Sequence, residues 1–165
     1  MDIQRILKHL LMTKWQVKRA FPRDALAAIG NAIKANETAH VGQIRFVVEG
    51  ALHSAALFTG QSARERAIEV FSQLRVWDTE HNNGVLIYLL LADRAVEIIA
   101  DRGVHVRVGA HDWETICRGM QAAFRQAKYR EGVISGIEAV GQRLARHFPS
   151  RDPRRNELPD APIVL

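Results

Sequence analysis

The first hydrophobic positions of the chain recur with helical spacing. Six apolar side chains fall on one face of a helix: Ile3, Ile6, Leu7, Leu10, Leu11 and Trp15. The opposite side carries Arg5, Lys8 and His9. This pattern predicts a basic amphipathic helix within residues 1–20. Its apolar face either packs on the body of the protein or on a second subunit, or it lies on an anionic membrane surface through residues 3–19.

The pattern along residues 21–49 predicts a helix followed by a strand. Pro22 suits the first turn of a helix, and three apolar side chains then recur at helical spacing: Leu26, Ile29 and Ile33. Residues 43–49 read as a strand, because Ile44, Phe46 and Val48 alternate along it.

The next segment predicts a β-α-β crossover. Ser62 and Glu65 form a capping box that opens a helix running to about residue 77. Its inward residues are expected to be Ala67, Ile68, Phe71 and Leu74. Residues 85–91 are apolar on both faces, as in a central strand, and Asp93-Arg94 joins them to a hairpin strand at 96–99. The strands at 43–49 and 85–91 should be parallel.

Two further helices complete the domain at residues 21–148. One, entered at Asp112 as its N-cap, carries the stripe Trp113, Ile116, Cys117, Met120 and Phe124; the other carries Val133, Ile137, Val140, Leu144 and Phe148. The order of elements predicts an α/β fold: a three-layer α/β/α sandwich with a mixed sheet of three to five strands. The proline-rich tail at 149–165 should be extended or disordered.

Charge and cysteine content narrow the class of protein. Residues 1–23 hold six basic side chains and one acidic one, which matches the net charge of +5 of the whole chain. A nucleic-acid-binding domain would carry its basic residues as a patch on the folded body, so we expect no nucleic acid partner. Cys117, the single cysteine, excludes an intrachain disulfide and reads as a core residue. With no signal peptide or membrane-spanning run, we expect a cytoplasmic protein, peripheral at a membrane at most and not secreted.

Two clusters of side chains are candidates for binding a cation. Asp78 and Asn83 flank a turn rich in oxygen ligands, and the hairpin should return Asp101 to the same sheet edge. An ordinary Asx-rich turn is the competing interpretation. A secondary cluster is Glu37 and His40 with Glu49, which offers metal-ligand chemistry or else a buried His–Glu hydrogen bond beside a solvated helix end.

The order of these motifs resembles the TPM domain family. The resemblance covers about residues 25–148 and is carried by segments 75–79, 82–94, 96–104 and 124–132. The family includes thylakoid-lumen proteins and bacterial proteins of mostly unknown role. The resemblance implies an α/β/α sandwich, a divalent-ion site, often for Ca²⁺, and an acid phosphatase activity proposed for some members.

Carried over by position, Asn83-Gly84 matches the family's Asp/Asn-Asn-Gly turn and Arg94 its Asp-Arg hairpin, while Arg102-Gly103 falls on its glycine-rich stretch. Asp101 stands where the family usually has glycine, and His105 often replaces an acidic residue. The chain resembles a short form of the family without a signal peptide or a C-terminal transmembrane helix.

These observations leave two functions open. The first is an accessory or protein-binding module, stabilised by Ca²⁺ or another divalent cation and associated with a membrane-linked protein partner. The second is a divalent-metal-dependent phosphatase, in which a cation at Asp78, Asn83 and Asp101 polarises a phosphate that Arg94 or Arg102 neutralises. His81 is the nearest candidate for a general base in that reaction.

Overall fold

The computed structural model describes residues 2–150 and 156–165. Within them, the helices are α1 (Ile3–Leu11), α2 (Lys14–Ala20), α3 (Arg23–Asn36), α4 (Ser54–Phe58), α5 (Ala63–Gln73), α6 (Arg102–Val108), α7 (Ala110–Arg125) and α8 (Tyr129–His147). The strands are β1 (Gln43–Glu49), β2 (Gly84–Leu90), β3 (Ala95–Ala100) and β4 (Ile163–Val164).

The four strands form one mixed sheet in the order β3-β2-β1-β4. β1 and β2 are parallel, with Gln43 opposite Gly84, as the β-α-β pattern predicted. β3 runs antiparallel to β2, and Val85 faces Ala100 at the end of the hairpin. The predicted α/β sandwich with a mixed sheet is therefore confirmed.

Side chains on the two faces of the sheet enter separate cores. One core joins α3, α7 and α8 to alternate strand positions: Ile44, Phe46, Val48, Val85, Ile87 and Leu89. The other core lies under α4 and α5 and receives the intervening positions Val47, Leu86, Tyr88 and Leu90. Burial on both faces explains why β1 and β2 are almost continuously apolar.

The C-terminal tail, predicted to be extended or disordered, contains a short extended strand within residues 156–165 and packs on the domain. β4 pairs in parallel with β1, and Leu158 is buried in the second core. Two side chains of β1 hold the tail by its backbone. Arg45 donates a hydrogen bond of 3.3 Å to the Ala161 carbonyl. The Gln43 side chain accepts the amides of Glu157 and Leu158 at 3.0 Å each. The part of the prediction that falls on residues 151–155 lies outside the described residues.

Some helix boundaries and faces also differ from the predictions. α5 ends at Gln73, four residues before the predicted end at about residue 77. Ile68, predicted to face inward, is exposed, and Val70 is buried instead. α6 was not predicted, and α7 begins at Ala110 after Gly109, so Asp112 lies inside its first turn and does not cap it.

The predicted N-terminal helix is divided into α1 and α2. The break is at Thr13, whose hydroxyl accepts a hydrogen bond from the Gln16 amide while the Gln16 side chain accepts one from the Thr13 amide. This reciprocal capping box starts a new helix at Lys14. Among the residues described, no helix is both long enough and apolar enough to cross a bilayer.

Candidate functional site

The predicted cation ligands Asn83 and Asp101 lie at the same end of the sheet, where Asn83 directly precedes β2 and Asp101 directly follows β3. The Asp101 amide donates a hydrogen bond of 2.9 Å to the carbonyl of Gly84, the residue that follows Asn83. Glycine is required nearby for close packing: a Cβ on Gly103 would come within 2.6 Å of the Asn82 carbonyl oxygen. The topological argument that Asp101 returns to this turn is confirmed.

One oxygen of each of these two side chains is buried and unpaired. Asp101 caps α6 by accepting the Arg102 amide on Oδ1 at 2.7 Å, while Asn83 donates from Nδ2 to the Val41 carbonyl at 2.8 Å. Asp101 Oδ2 and Asn83 Oδ1 find no hydrogen-bond partner within residues 2–150 and 156–165. Buried acceptors without partners are costly in a folded protein, so a ligand or water that bonded to either atom would stabilise it.

Asp78, the third predicted ligand, is oriented differently. Its side chain is 53% exposed, and Oδ2 forms an ion pair of 2.8 Å with the Arg75 guanidinium, which draws it outward. No group of three or more His, Cys, Asp or Glu side chains in the described part of the chain is arranged to hold a metal ion. Any cation at this edge would therefore rely on amide and backbone oxygens and on water beside a single carboxylate.

Asp78 instead lines an acidic cleft of about 710 Å³ at the same edge of the sheet. The titratable side chains that line this cleft are Glu37, His40, Asp78, Glu80, His81 and Glu157. Glu157 comes from the C-terminal tail and accepts the Glu80 amide at 2.9 Å. The tail thus forms one wall of the cleft, a contribution that the sequence pattern did not indicate.

Burial in this cleft shifts the pKa values of His40 and Glu37 in the direction that favours the uncharged form of each side chain. Burial lowers the His40 pKa to about 4, and a backbone interaction with Gly42 opposes this only partly. Neither ring nitrogen has a partner that meets hydrogen-bond geometry among the described residues. Burial, followed by the charge of Asp160, raises the Glu37 pKa to about 8. The cleft therefore holds a neutral imidazole and a protonated carboxyl near pH 7.

Glu49 does not belong to this cluster, which corrects the predicted grouping. It ends β1 at the opposite edge of the sheet from His40, where its carboxylate accepts the Tyr88 hydroxyl at 2.7 Å and Arg66 Nε at 2.9 Å. Burial, and then the hydrogen bond to Glu49, raises the Tyr88 pKa well above its usual range. Glu49 thus completes a buried structural network.

Arg94 and Arg102, the predicted phosphate contacts, also lie apart. Arg94 occupies the β2–β3 turn with a φ of 51°, whereas Arg102 begins α6 after the last residue of β3. The six residues of β3 separate them, a distance of about 20 Å at ~3.3 Å per residue. The two guanidinium groups cannot contact one phosphate.

Comparisons with known proteins agree with the resemblance seen in the sequence. The TPM domain family model matches residues 18–143. The NMR structure of the BA42 protein from the psychrophilic bacterium Bizionia argentinensis superposes with a TM-score of 0.76 at 30% identity, covering 86% of this chain and 92% of that one.

A second solved structure shares the fold alone. It is the N-terminal domain of a protein from P. gingivalis, with a TM-score of 0.59, 21% identity and coverage of 74% of this chain and 76% of that one. No curated protein matches the sequence significantly. On the family model and the BA42 structure together, the chain belongs to the TPM domain family.

Proposed function

We propose that this TPM domain is an accessory binding module that takes a divalent cation at the sheet edge and contacts a membrane-linked partner through α1 and α2. The observation that carries the cation site is that Asn83 Oδ1 and Asp101 Oδ2 are both buried without a hydrogen-bond partner among the described residues, in the residue before β2 and the residue after β3. A carboxylate and an amide are oxygen ligands of the kind that hard cations prefer.

The donor set fits a hydrated cation of the Ca²⁺ or Mg²⁺ type. Asp101 supplies one negative charge, and Asn83 supplies the neutral oxygen Oδ1. Asn83 itself is fixed because its Nδ2 donates to the Val41 carbonyl and its backbone carbonyl accepts the Gln43 amide. Mg²⁺ is commonly bound by one or two carboxylates with several retained waters, and Ca²⁺ accepts amide and carbonyl oxygens. With one carboxylate the affinity should be modest, which suits a cation that stabilises the fold.

Three observations favour a binding module over a phosphatase. Of the two predicted phosphate contacts, Arg94 lies at the far end of β3 from Asp101, which leaves Arg102 as the one beside the candidate cation ligand. Burial, followed by the charge of Glu97, raises the Cys117 pKa to about 12, so this thiol is not an activated nucleophile at neutral pH. The Asp78 carboxylate is 53% exposed and already forms an ion pair with Arg75.

A thermal melt of the metal-stripped protein tests this proposal. We expect Ca²⁺, Mg²⁺ or Mn²⁺ at about a hundred times its Kd to contribute about 2.7 kcal/mol, or roughly 5–10 °C in Tm for a domain of this size. Asp101→Asn should remove this shift while preserving the α6 cap, because asparagine caps helices as well as aspartate does.

The exposed Asp24→Asn variant is the matched control and should keep the full cation response. A Tm that no cation changes, or a shift that Asp101→Asn retains, would contradict the cation site. Hydrolysis of a phosphomonoester that is lost in Asp101→Asn would favour the phosphatase instead.

A further inference from the structure

Helix α1 is attached to the domain by its polar side. The Arg5 guanidinium forms an ion pair of 2.9 Å with Asp93 and donates to the Gln61 carbonyl at 2.8 Å. The His9 ring, 4% exposed, lies 3.0 Å from Asp93 through Nε2 and accepts the Leu52 amide on Nδ1 at 3.0 Å. These contacts decide which face of the helix points to solvent.

The apolar face of α1 consequently points outward, which is the reverse of a helix that packs on its own core. The exposed fractions are 68% for Ile3, 51% for Leu7, 63% for Leu10, 70% for Leu11 and, on α2, 64% for Trp15. Of the six predicted stripe residues, Ile6 is half-buried against the second core. An exposed apolar patch of this kind marks an interaction surface.

Basic side chains surround this patch. From Ile3 to Arg23 the chain has no acidic residue, and Lys8, Lys14, Lys18 and Arg19 are all exposed. A groove of about 830 Å³ brings Lys8, Arg19 and Arg94 together with Leu11 and Trp15. Asp93, the acidic residue of the groove, is already paired with Arg5 and His9.

We infer that α1 and α2 form a docking surface for the interfacial region of an anionic lipid bilayer. This inference rests on the proposed function, and it names the membrane surface itself as what the N-terminal helices contact. Leucine side chains and a tryptophan enter the acyl–headgroup boundary, while the lysines and Arg94 meet lipid phosphates. The charge of the surface selects this occupant over a second copy, whose identical cationic face would repel it.

Vesicle co-sedimentation of the full chain tests the inference. The protein should bind vesicles of equal parts phosphatidylcholine and phosphatidylglycerol at low salt, and should bind pure phosphatidylcholine vesicles at least tenfold more weakly. The double variant Leu10→Ser/Leu11→Ser should reduce binding at least tenfold, and Lys14→Gln/Lys18→Gln roughly fivefold per lysine.

Exposed side chains elsewhere provide matched controls. Val106→Ser on α6 and Phe58→Ser on α4 remove residues that are 83% and 59% exposed, and both should leave vesicle binding unchanged. Lys34→Gln, at an exposed position near the end of α3, is the control for charge. All variants should keep the cation-dependent Tm shift, which shows that they are folded and that the sheet edge is intact.

Several results would overturn the inference. These are no binding to the anionic vesicles, equal binding to both lipid compositions, binding that survives Leu10→Ser/Leu11→Ser, or a dimer in solution that this variant dissociates. If the cation-dependent Tm shift persists while vesicle binding is absent, the proposed lipid-docking surface is contradicted and the proposed cation site is supported. If vesicle binding persists without any Tm shift, the reverse holds.

Discussion

At the scale of single residues, the candidate site consists of polar side chains whose hydrogen bonding or pKa is altered by burial. Asp101 illustrates what sequence could and could not supply. The reversal of direction in the hairpin predicted that Asp101 lies near Asn83, and the structure agrees. Its role as the N-cap of α6 was missed, because Asp101-Arg102-Gly103 follows an apolar strand and no strong helical stripe announces the seven-residue helix.

Glu37 should make stability fall as pH rises. Its pKa is about 8 in the folded protein against an ordinary value of 4.5, so the folded state holds a proton that the unfolded chain has released over that interval. Stability contributed by this site therefore decreases between about pH 4.5 and 8. His40, with its lowered pKa, acts in the opposite direction between about pH 4 and 6.5.

The variant Glu37→Gln removes the first of these titrations. The difference in Tm between this variant and the wild type should increase by a few degrees, in favour of the variant, from about pH 5 to about pH 8. This corresponds to a change in the free energy of unfolding on the order of 1 kcal/mol, after allowance for partial solvent exposure. Thermal melts across this range, with exposed Glu114→Gln as the control, measure the effect. A Tm difference that does not depend on pH would show that Glu37 is already ionised.

At the scale of elements, the N-terminal helices show why periodicity alone does not determine orientation. The spacing of apolar residues correctly predicted helix, and Thr13 with Gln16 explains the break between α1 and α2. Which face packs inward is decided by Asp93, 84 residues away from His9 along the chain. No local pattern contains that partner.

Asp93 should hold α1 on the rest of the domain. Burial alone would raise its pKa, but hydrogen bonds from Arg5 and His9 outweigh this and lower the pKa below its ordinary value of 3.8. Because the pKa is depressed, the contacts of Asp93 with Arg5 and His9 stabilise the folded state above about pH 4. This stabilisation is lost as the pH falls through the pKa of the folded state. It is therefore intact at neutral pH.

The variant Asp93→Asn should loosen α1 selectively. Losing charge-assisted hydrogen bonds of about 1.5–3 kcal/mol should speed amide exchange of residues 3–11 by roughly 10- to 100-fold. Hydrogen–deuterium exchange measures this, and α8 should keep its protection. Asp24→Asn again serves as the control, and unchanged exchange in α1 would show that Asp93 does not hold the helix.

At the scale of the whole molecule, the two proposed surfaces occupy opposite ends of the sheet. Asn83 precedes β2 at one end, whereas Leu52 and Asp93, which hold α1, follow β1 and β2 at the other. Seven strand residues at ~3.3 Å each separate them by about 20 Å. The proposed cation site and the proposed lipid-docking surface therefore lie at opposite ends of the sheet.

The most direct test of this arrangement is a set of amide chemical-shift maps of the full chain by NMR. Adding Ca²⁺ or Mg²⁺ should shift signals around Asn83-Gly84 and Asp101-Arg102-Gly103, and adding anionic lipid nanodiscs should shift or broaden residues 3–19. Each addition should leave the other region unchanged. Cation shifts centred away from the sheet edge, or nanodisc effects centred on it, would contradict the account.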